Sequence, residues 1–207
     1  MKLFRHHILP WFMESGLTRP ELQGLRQAAL RPAGGTVLEI GFGVGASLAG
    51  YPRDDGRVRA ILALEPNPGM LKRAASRLAD SPVAPHVLRG VAGALPFADA
   101  SVDTVVTQWT LCSLPDLPLS LREIRRVLRP GGRFLFLEHG LCDDPRVARR
   151  QHRLAPLFRL VGDGCRPFLA IDRTIAAAGF SIENLDRPAP PRAAWVLGPL
   201  YLGMARP

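Results

Sequence analysis

Apolar and polar positions along the chain fall into two alternating textures. Short unbroken apolar runs at Thr36–Ile40, Arg59–Leu64, His86–Arg89, Ser101–Gln108 and Arg133–Glu138 predict strands buried on both faces, as in a parallel sheet. Helical spacing predicts helices over Gly69–Ala79 after the second run, Leu117–Leu128 after the fourth, and Pro20–Leu30 before the first. Beyond Gly140 the texture changes. Pro145–Val161 predicts a basic helix that Pro156 would kink, and Ala170–Ala178 a second helix stopped by Gly179. Two further strands follow near Ser181–Leu185 and Leu200–Ala205. The intervening Arg187-Pro-Ala-Pro-Pro-Arg192 is a rim loop, because proline cannot donate to a sheet ladder. Strand–helix alternation with short turns predicts one doubly wound α/β domain over residues 1–207. Residues 1–33 make an N-terminal helical segment, and 140–169 a long insertion after the fifth strand.

Composition narrows the class. The chain has 207 residues, 47% hydrophobic and 22% charged, enough to bury a core. No apolar run reaches the ~20 residues of a membrane span, and Met1–Trp11 carries no secretory cleavage site, so the expected location is cytoplasmic. The net charge of +9 is almost all arginine, with lysine only at positions 2 and 72. No RNA-binding strand signature, zinc finger or basic zipper accompanies it, so nucleic acid is not an expected partner. Arg146, Arg149, Arg150 and Arg153 recur at helical spacing, with Val147, Leu154, Phe158 and Val161 on another part of the same helix. Two readings fit: a solvated face beside the core, or peripheral contact with an anionic membrane. Cys112, Cys142 and Cys165 show no metal-ligand spacing along the chain, so they read as small apolar residues and no metal is expected.

The chemistry concentrates at Val37-Leu-Glu-Ile-Gly-Phe-Gly-Val-Gly45, an apolar strand ending in a glycine loop. Glycines are needed where backbone turns sharply and approaches a ligand without a Cβ in the way. Gly41, Gly43 and Ala46 also satisfy the dinucleotide pattern, with Glu65 near the ribose-binding position. Glu39 separates the two readings. A carboxylate inside the strand does nothing for a pyrophosphate, but it can hold a cationic ligand. Glu39 and Glu65 both follow apolar runs at strand ends, where a carboxylate is poorly solvated without a ligand or partner.

Glu39-Ile-Gly-Phe-Gly-Val-Gly45, Leu64-Glu-Pro-Asn67, Leu95-Pro-Phe97 with Ser101-Val-Asp103, and Leu128-Arg-Pro-Gly-Gly132 resemble the ordered motifs of class I S-adenosylmethionine (SAM)-dependent methyltransferases. The resemblance covers roughly residues 34–140. Asp103-Thr-Val-Val-Thr-Gln-Trp-Thr-Leu-Cys-Ser113, Leu137-Glu-His139, Gly162-Asp-Gly-Cys165 and the proline-rich loop are similar to the membrane-anchored thiol methyltransferases, without a counterpart of their N-terminal anchor.

The resemblance implies a Rossmann-like, seven-stranded, mostly parallel sheet and SAM as methyl donor, with S-adenosylhomocysteine as product. It implies that Glu39, Gly41, Phe42, Gly43 and Gly45 hold the methionine part. Glu65 would take both ribose hydroxyls; Pro66, Asn67 and Met70 would flank the adenine. The loop after the third strand has no acid, so Val91, Ala92 and Gly93 would meet the adenine through backbone and apolar contact. Gln108, Trp109 and Thr110 would face the sulfonium. The expected acceptor is a small, lipophilic molecule, a thiol by resemblance, with residues 140–169 as its roof. Asp163, His139 and Thr110 are the candidates for handling its proton. Alternatives are N- or O-methylation of a lipid head group or quinone-like molecule, and a SAM-binding subunit without turnover.

Overall fold

The computed structural model describes residues 3–53, 56–162, 164–166, 168–189 and 199–207. Apolar alternation within each strand sends neighbouring residues to opposite faces, and both faces are covered. The strands are β1 Gly35–Ile40, β2 Val58–Leu64, β3 His86–Leu88, β4 Val102–Gln108, β5 Leu128–His139, β6 Ser181–Asp186 and β7 Leu200–Arg206. They form one seven-stranded sheet in the order β3-β2-β1-β4-β5-β7-β6. All pairings are parallel except those of β7, which runs antiparallel to both β5 and β6.

The helices are α1 Leu9–Leu17, α2 Pro20–Leu30, α3 Pro68–Ala74, α4 Leu117–Val127, α5 Pro145–Val161 and α6 Ile171–Ala177. One face packs Leu121 and Ile124 of α4 and Ile171 and Ile175 of α6 against Leu38, Ile40, Val105, Phe134 and Phe136. The other packs Leu30 of α2 and Ala74 of α3 against Val37, Ile61, Val106 and Leu135. Fully burying such side chains stabilises by roughly 1.5–3 kcal/mol each. Local chemistry sets the helix starts. Pro20 opens α2 at a position that needs no N–H, while the Asp116 carboxylate caps α4 by accepting from Leu119 N at 2.9 Å.

Residues 4–17 are helical, a π-type turn at Phe4–Ile8 running into α1, within the segment expected to be helical. Two expectations need correcting. Leu128 begins a strand rather than ending a helix. Arg129–Gly132 loops out of the β4–β5 register, which resumes at Thr104 opposite Arg133. α5 carries Pro156 inside it, at the place where the sequence expects a kink. Its Val147 and Leu154 are 37% and 48% exposed, on the same solvent side as the arginines rather than against the core. Of the proline-rich rim loop, residues 190–192 lie outside the described set, as does Asp163. No helix among the described residues is long and apolar enough to cross a membrane.

Candidate functional site

A cavity of about 490 Å³ opens over the carboxyl ends of β1, β2 and β4, where ligands bind in open α/β sheets. Its floor is the glycine loop. Gly41 N donates to Leu64 O at 2.9 Å, tying the loop to the end of β2. Gly41 has φ 74°, and a Cβ built there would overlap the Thr110 side chain, so both backbone conformation and space exclude other residues. Gly43 also lines the cavity, but Phe42 turns away into the core and Gly45 lies outside the lining.

Glu65 stands at the end of β2, 7% exposed. Its Oε2 accepts from Gly43 N and its Oε1 from Asn67 N, both at 2.9 Å, so the carboxylate is held rigidly at the cavity wall. Pro66 and Met70 continue that wall, and Val91, Ala92 and Gly93 face it from the loop after β3. Asn67 does not line the cavity. Its Oδ1 caps α3 by accepting from Gly69 N at 2.9 Å. Glu39 does not reach the cavity either. Alternation along β1 turns it to the opposite face from Ile40, where Tyr51 donates to its Oε2 at 2.8 Å. Burial pushes the Glu39 carboxyl above the usual range, against the lowering effect of Ser47, Tyr51 and the Arg26 charge.

Gln108, the last residue of β4, and Trp109 and Thr110 after it line the cavity. Trp109 takes φ 52°, an uncommon backbone for a bulky residue. Two contacts hold it there: Trp109 N donates to Leu137 O at 2.8 Å, and the next amide, Thr110 N, donates to Glu138 Oε2 at 2.9 Å. Glu138 is fully buried, and that burial pushes its carboxyl up to about 8. It positions the turn.

Arg26 of α2 is the residue sequence reasoning missed. It is 3% exposed, and burial pulls its guanidinium down to about 10. Its Nη1 donates to Gln108 Oε1, its Nη2 to Leu17 O at 2.9 Å, and its guanidinium lies 4.6 Å from the Trp109 ring centroid. With the Gln108 carbonyl engaged, the amide keeps its donor end free. Gln108 Nε2 and Trp109 Nε1 are both buried donors without a partner, on residues that line the cavity. The signal was there: Leu22, Arg26, Ala29 and Leu30 share one apolar helical face, and an arginine on that face has to be paired.

The cover over the cavity comes from an unexpected direction. Leu9, Met13 and Leu17 of α1 line it, whereas Gly162 is the one lining residue among those described in 140–169. Phe168 instead stacks on His152, with ring centroids 5.2 Å apart. Glu14 fastens α1 by pairing with Arg73 and, at 2.6 Å, with Arg77, and the Arg77 hydrogen bond leads the causes that hold its carboxyl low. A group with a depressed folded pKa stabilises above its unfolded value of about 4.3, and that contribution is lost as pH falls through the folded value. Glu14→Gln is therefore expected to weaken SAM binding severalfold at pH 7. The same variant should flatten the loss of stability between about pH 5 and 3. Calorimetry and acid titration of the melting temperature check both.

His139 ends β5 away from the cavity lining. Its Nε2 lies 3.1 Å from Cys112 Sγ and 3.2 Å from Cys165 Sγ, so two of the three cysteines join it in one buried cluster. Spacing along the chain could not show this, because the three residues come from the end of β4, the end of β5 and the segment after α5.

An apolar slot with a fixed carboxylate on one side and two unpartnered donors on the other suits a ligand carrying a flat base, a diol and a polar tail. A family profile described as a methyltransferase domain matches residues 38–136. Thiol S-methyltransferase TMT1B of Homo sapiens is 31% identical over 191 residues, covering 89% of this chain and 75% of that protein. The ubiquinone/menaquinone biosynthesis C-methyltransferase UbiE of Hahella chejuensis is 34% identical over 119 residues, covering 56% of this chain and 48% of its own length. Among solved structures, an S-adenosylmethionine-dependent methyltransferase of Mesorhizobium loti superposes with TM-score 0.65 at 18% identity, over 93% of this chain and 100% of that one. The chain belongs to the class I SAM-dependent methyltransferases, in the family that includes the TMT1 proteins.

Proposed function

We propose that this methyltransferase acts on a small lipophilic thiol. The observation that carries the reading is the likeness to thiol S-methyltransferase TMT1B across most of both chains. The cavity supports it: beyond the glycine loop it continues past Thr110 to Ser113, Leu114 and Pro115, a mainly apolar wall. When bound, SAM supplies a methyl group already activated on a sulfonium. The protein's share is then alignment and exclusion of water. Glu65 would accept the ribose hydroxyls, and Gln108 Nε2 would donate into the site. Trp109, clamped by Arg26, walls the reacting region. The α1 side chains exclude water, leaving a thiolate poorly solvated and reactive.

Thr110 lines the cavity and Asp163 follows its lining neighbour Gly162, so these two are the candidates for receiving or orienting the acceptor proton. His139 is committed to the two sulfurs. Incubation with labelled SAM and a panel of thiols, amines, phenols and quinols tests the reading. Methyl thioethers are the expected products, with Asp163→Asn lowering kcat and leaving SAM affinity near that of the wild type. Label on the oxygen of a quinol would favour the alternative of O-methylation of a quinone-like molecule, whereas label on ring carbon would match the C-methyltransferase UbiE instead. SAM binding without any product would mean a non-catalytic subunit.

α5 supplies a surface for reaching such acceptors. Arg146, Arg149, Arg150 and Arg153 are exposed on it, and Leu157, 55% exposed, lies among them. A basic face carrying exposed apolar side chains suits the surface of an anionic membrane. The protein should bind anionic vesicles at low salt and release at high salt. Arg149→Glu combined with Arg150→Glu should abolish that binding and keep SAM affinity. Equal behaviour with neutral vesicles would leave a solvated face.

A further inference from the structure

The geometry points to a zinc site formed by Cys112, His139 and Cys165 behind the cavity wall. Three donors of the kind zinc prefers converge there: His139 Nε2 is 3.1 Å and 3.2 Å from the two sulfurs, and the sulfurs are 3.5 Å apart. Zinc bonds of about 2.3 Å to sulfur and about 2.0–2.1 Å to nitrogen, at tetrahedral angles, require separations of roughly 3.8 Å and 3.6 Å. The cluster therefore needs to open by only a few tenths of an ångström. A disulfide would need the sulfurs to close from 3.5 Å to about 2.05 Å, a far larger movement.

Chemistry agrees with the distances. Cys112, His139 and Cys165 are 2%, 4% and 7% exposed. An isolated divalent ion is very costly at such depth, but two thiolates balance its charge. Binding would release one proton from each thiol, with no change of oxidation state. Oxygen-seeking ions such as magnesium or calcium find no suitable donor set in two sulfurs and an imidazole.

The position gives the ion something to do. Cys112 follows Thr110 by two residues, and its neighbour Ser113 lines the cavity, as does Gly162 beside Cys165. Protein bonds already join these segments: Arg166 N donates to Cys112 O at 2.9 Å. Zinc would lock the segment after α5 onto the end of β4 and so fix the acceptor side of the cavity. Three protein ligands also leave a fourth position for water or another small donor.

The test uses the full chain, reduced and treated with chelator, then titrated with zinc against a chromogenic competitor. One equivalent should bind tightly, and cobalt(II) in its place should show thiolate charge-transfer absorption. In the wild type, zinc should protect Cys112 and Cys165 from alkylation, mapped by mass spectrometry, while Cys142 stays reactive. Cys112→Ser, His139→Gln and Cys165→Ser should each lose tight binding, and Cys142→Ser should keep it. Alkylation of Cys112 and Cys165 unaffected by zinc would overturn the site, even if a variant fails to fold. So would unchanged zinc affinity in the serine variants, or a resting Cys112–Cys165 disulfide. SAM calorimetry on the zinc-free sample separates failure of the metal site from failure of the methyltransferase reading.

Discussion

Replacing Glu65 with alanine is expected to lower SAM affinity about a hundredfold, the loss of roughly 2–3 kcal/mol from a charge-assisted two-oxygen contact. The structure sharpens the reason. Both carboxylate oxygens are held by backbone donors, Gly43 N and Asn67 N, before any ligand arrives. Little ordering cost is then left for binding. The substitution also removes a tether on the glycine loop, worth about 1 kcal/mol of stability, so the variant should remain folded. Glu65→Gln, which keeps the shape and loses the charge, should fall between. Calorimetry with SAM decides the matter. Unchanged affinity in a folded Glu65→Ala protein would remove this residue from the site, and preference for NAD over SAM would revive the dinucleotide reading of the loop.

Arg26→Met should cost about 2–3 kcal/mol of unfolding free energy, since the buried acceptors Gln108 Oε1 and Leu17 O lose their charged donor. Glu39 also loses the weakest of the influences that hold its carboxyl down. It is fully enclosed, and Arg26 is the cation whose charge acts on it. The same change frees the Gln108 amide to rotate, removes the cation over Trp109 and releases the last turn of α1 from Arg26 Nη2. SAM affinity should fall with stability. Adding Glu39→Gln should recover part of the stability and little of the affinity, because the second change repairs the charge and not the wall. Denaturant titration of the single and double variants reads the first effect, calorimetry the second. A loss below about 1 kcal/mol would mean that Ser47 and Tyr51 serve Glu39 adequately and that neither acceptor needs Arg26.

The sheet was legible because its strands are short apolar runs closed by unmistakable punctuation: Gly41 after β1, Pro66 after β2, Gly140 after β5. Glu65 was legible for the same reason, as a charge at the end of such a run. Glu39 looked equivalent from its position, yet side-chain alternation places it on the other face, and only the packing of Tyr51 and Arg26 shows what it serves. Helix α1 was legible as a helix but not as the cavity's cover, because its apolar residues are on both sides. Trp11 and Phe12 stay exposed while Leu9, Met13 and Leu17 reach the cavity. No acidic residue in its first turn and no side-chain cap announces its start. The cysteine–histidine cluster was hidden by distance, since 27 and 26 residues separate His139 from its two neighbours in the chain. Parallel strands collect their carboxyl ends along one edge, and residues far apart in sequence meet there.

The antiparallel strand has a consequence for how the protein matures. β6 touches the rest of the sheet only through β7, and β7 occupies the slot beside β5. Until residues 200–206 emerge from the ribosome, residues 181–186 have no neighbour to join, and the edge of β5 that carries Glu138 and His139 stands open. Synthesis thus leaves this side of the sheet with an unpaired hydrophobic margin until residues 200–206 have been made. A deletion of Leu200–Arg206 would cost two strands, not one, and would present that margin to chaperones and proteases.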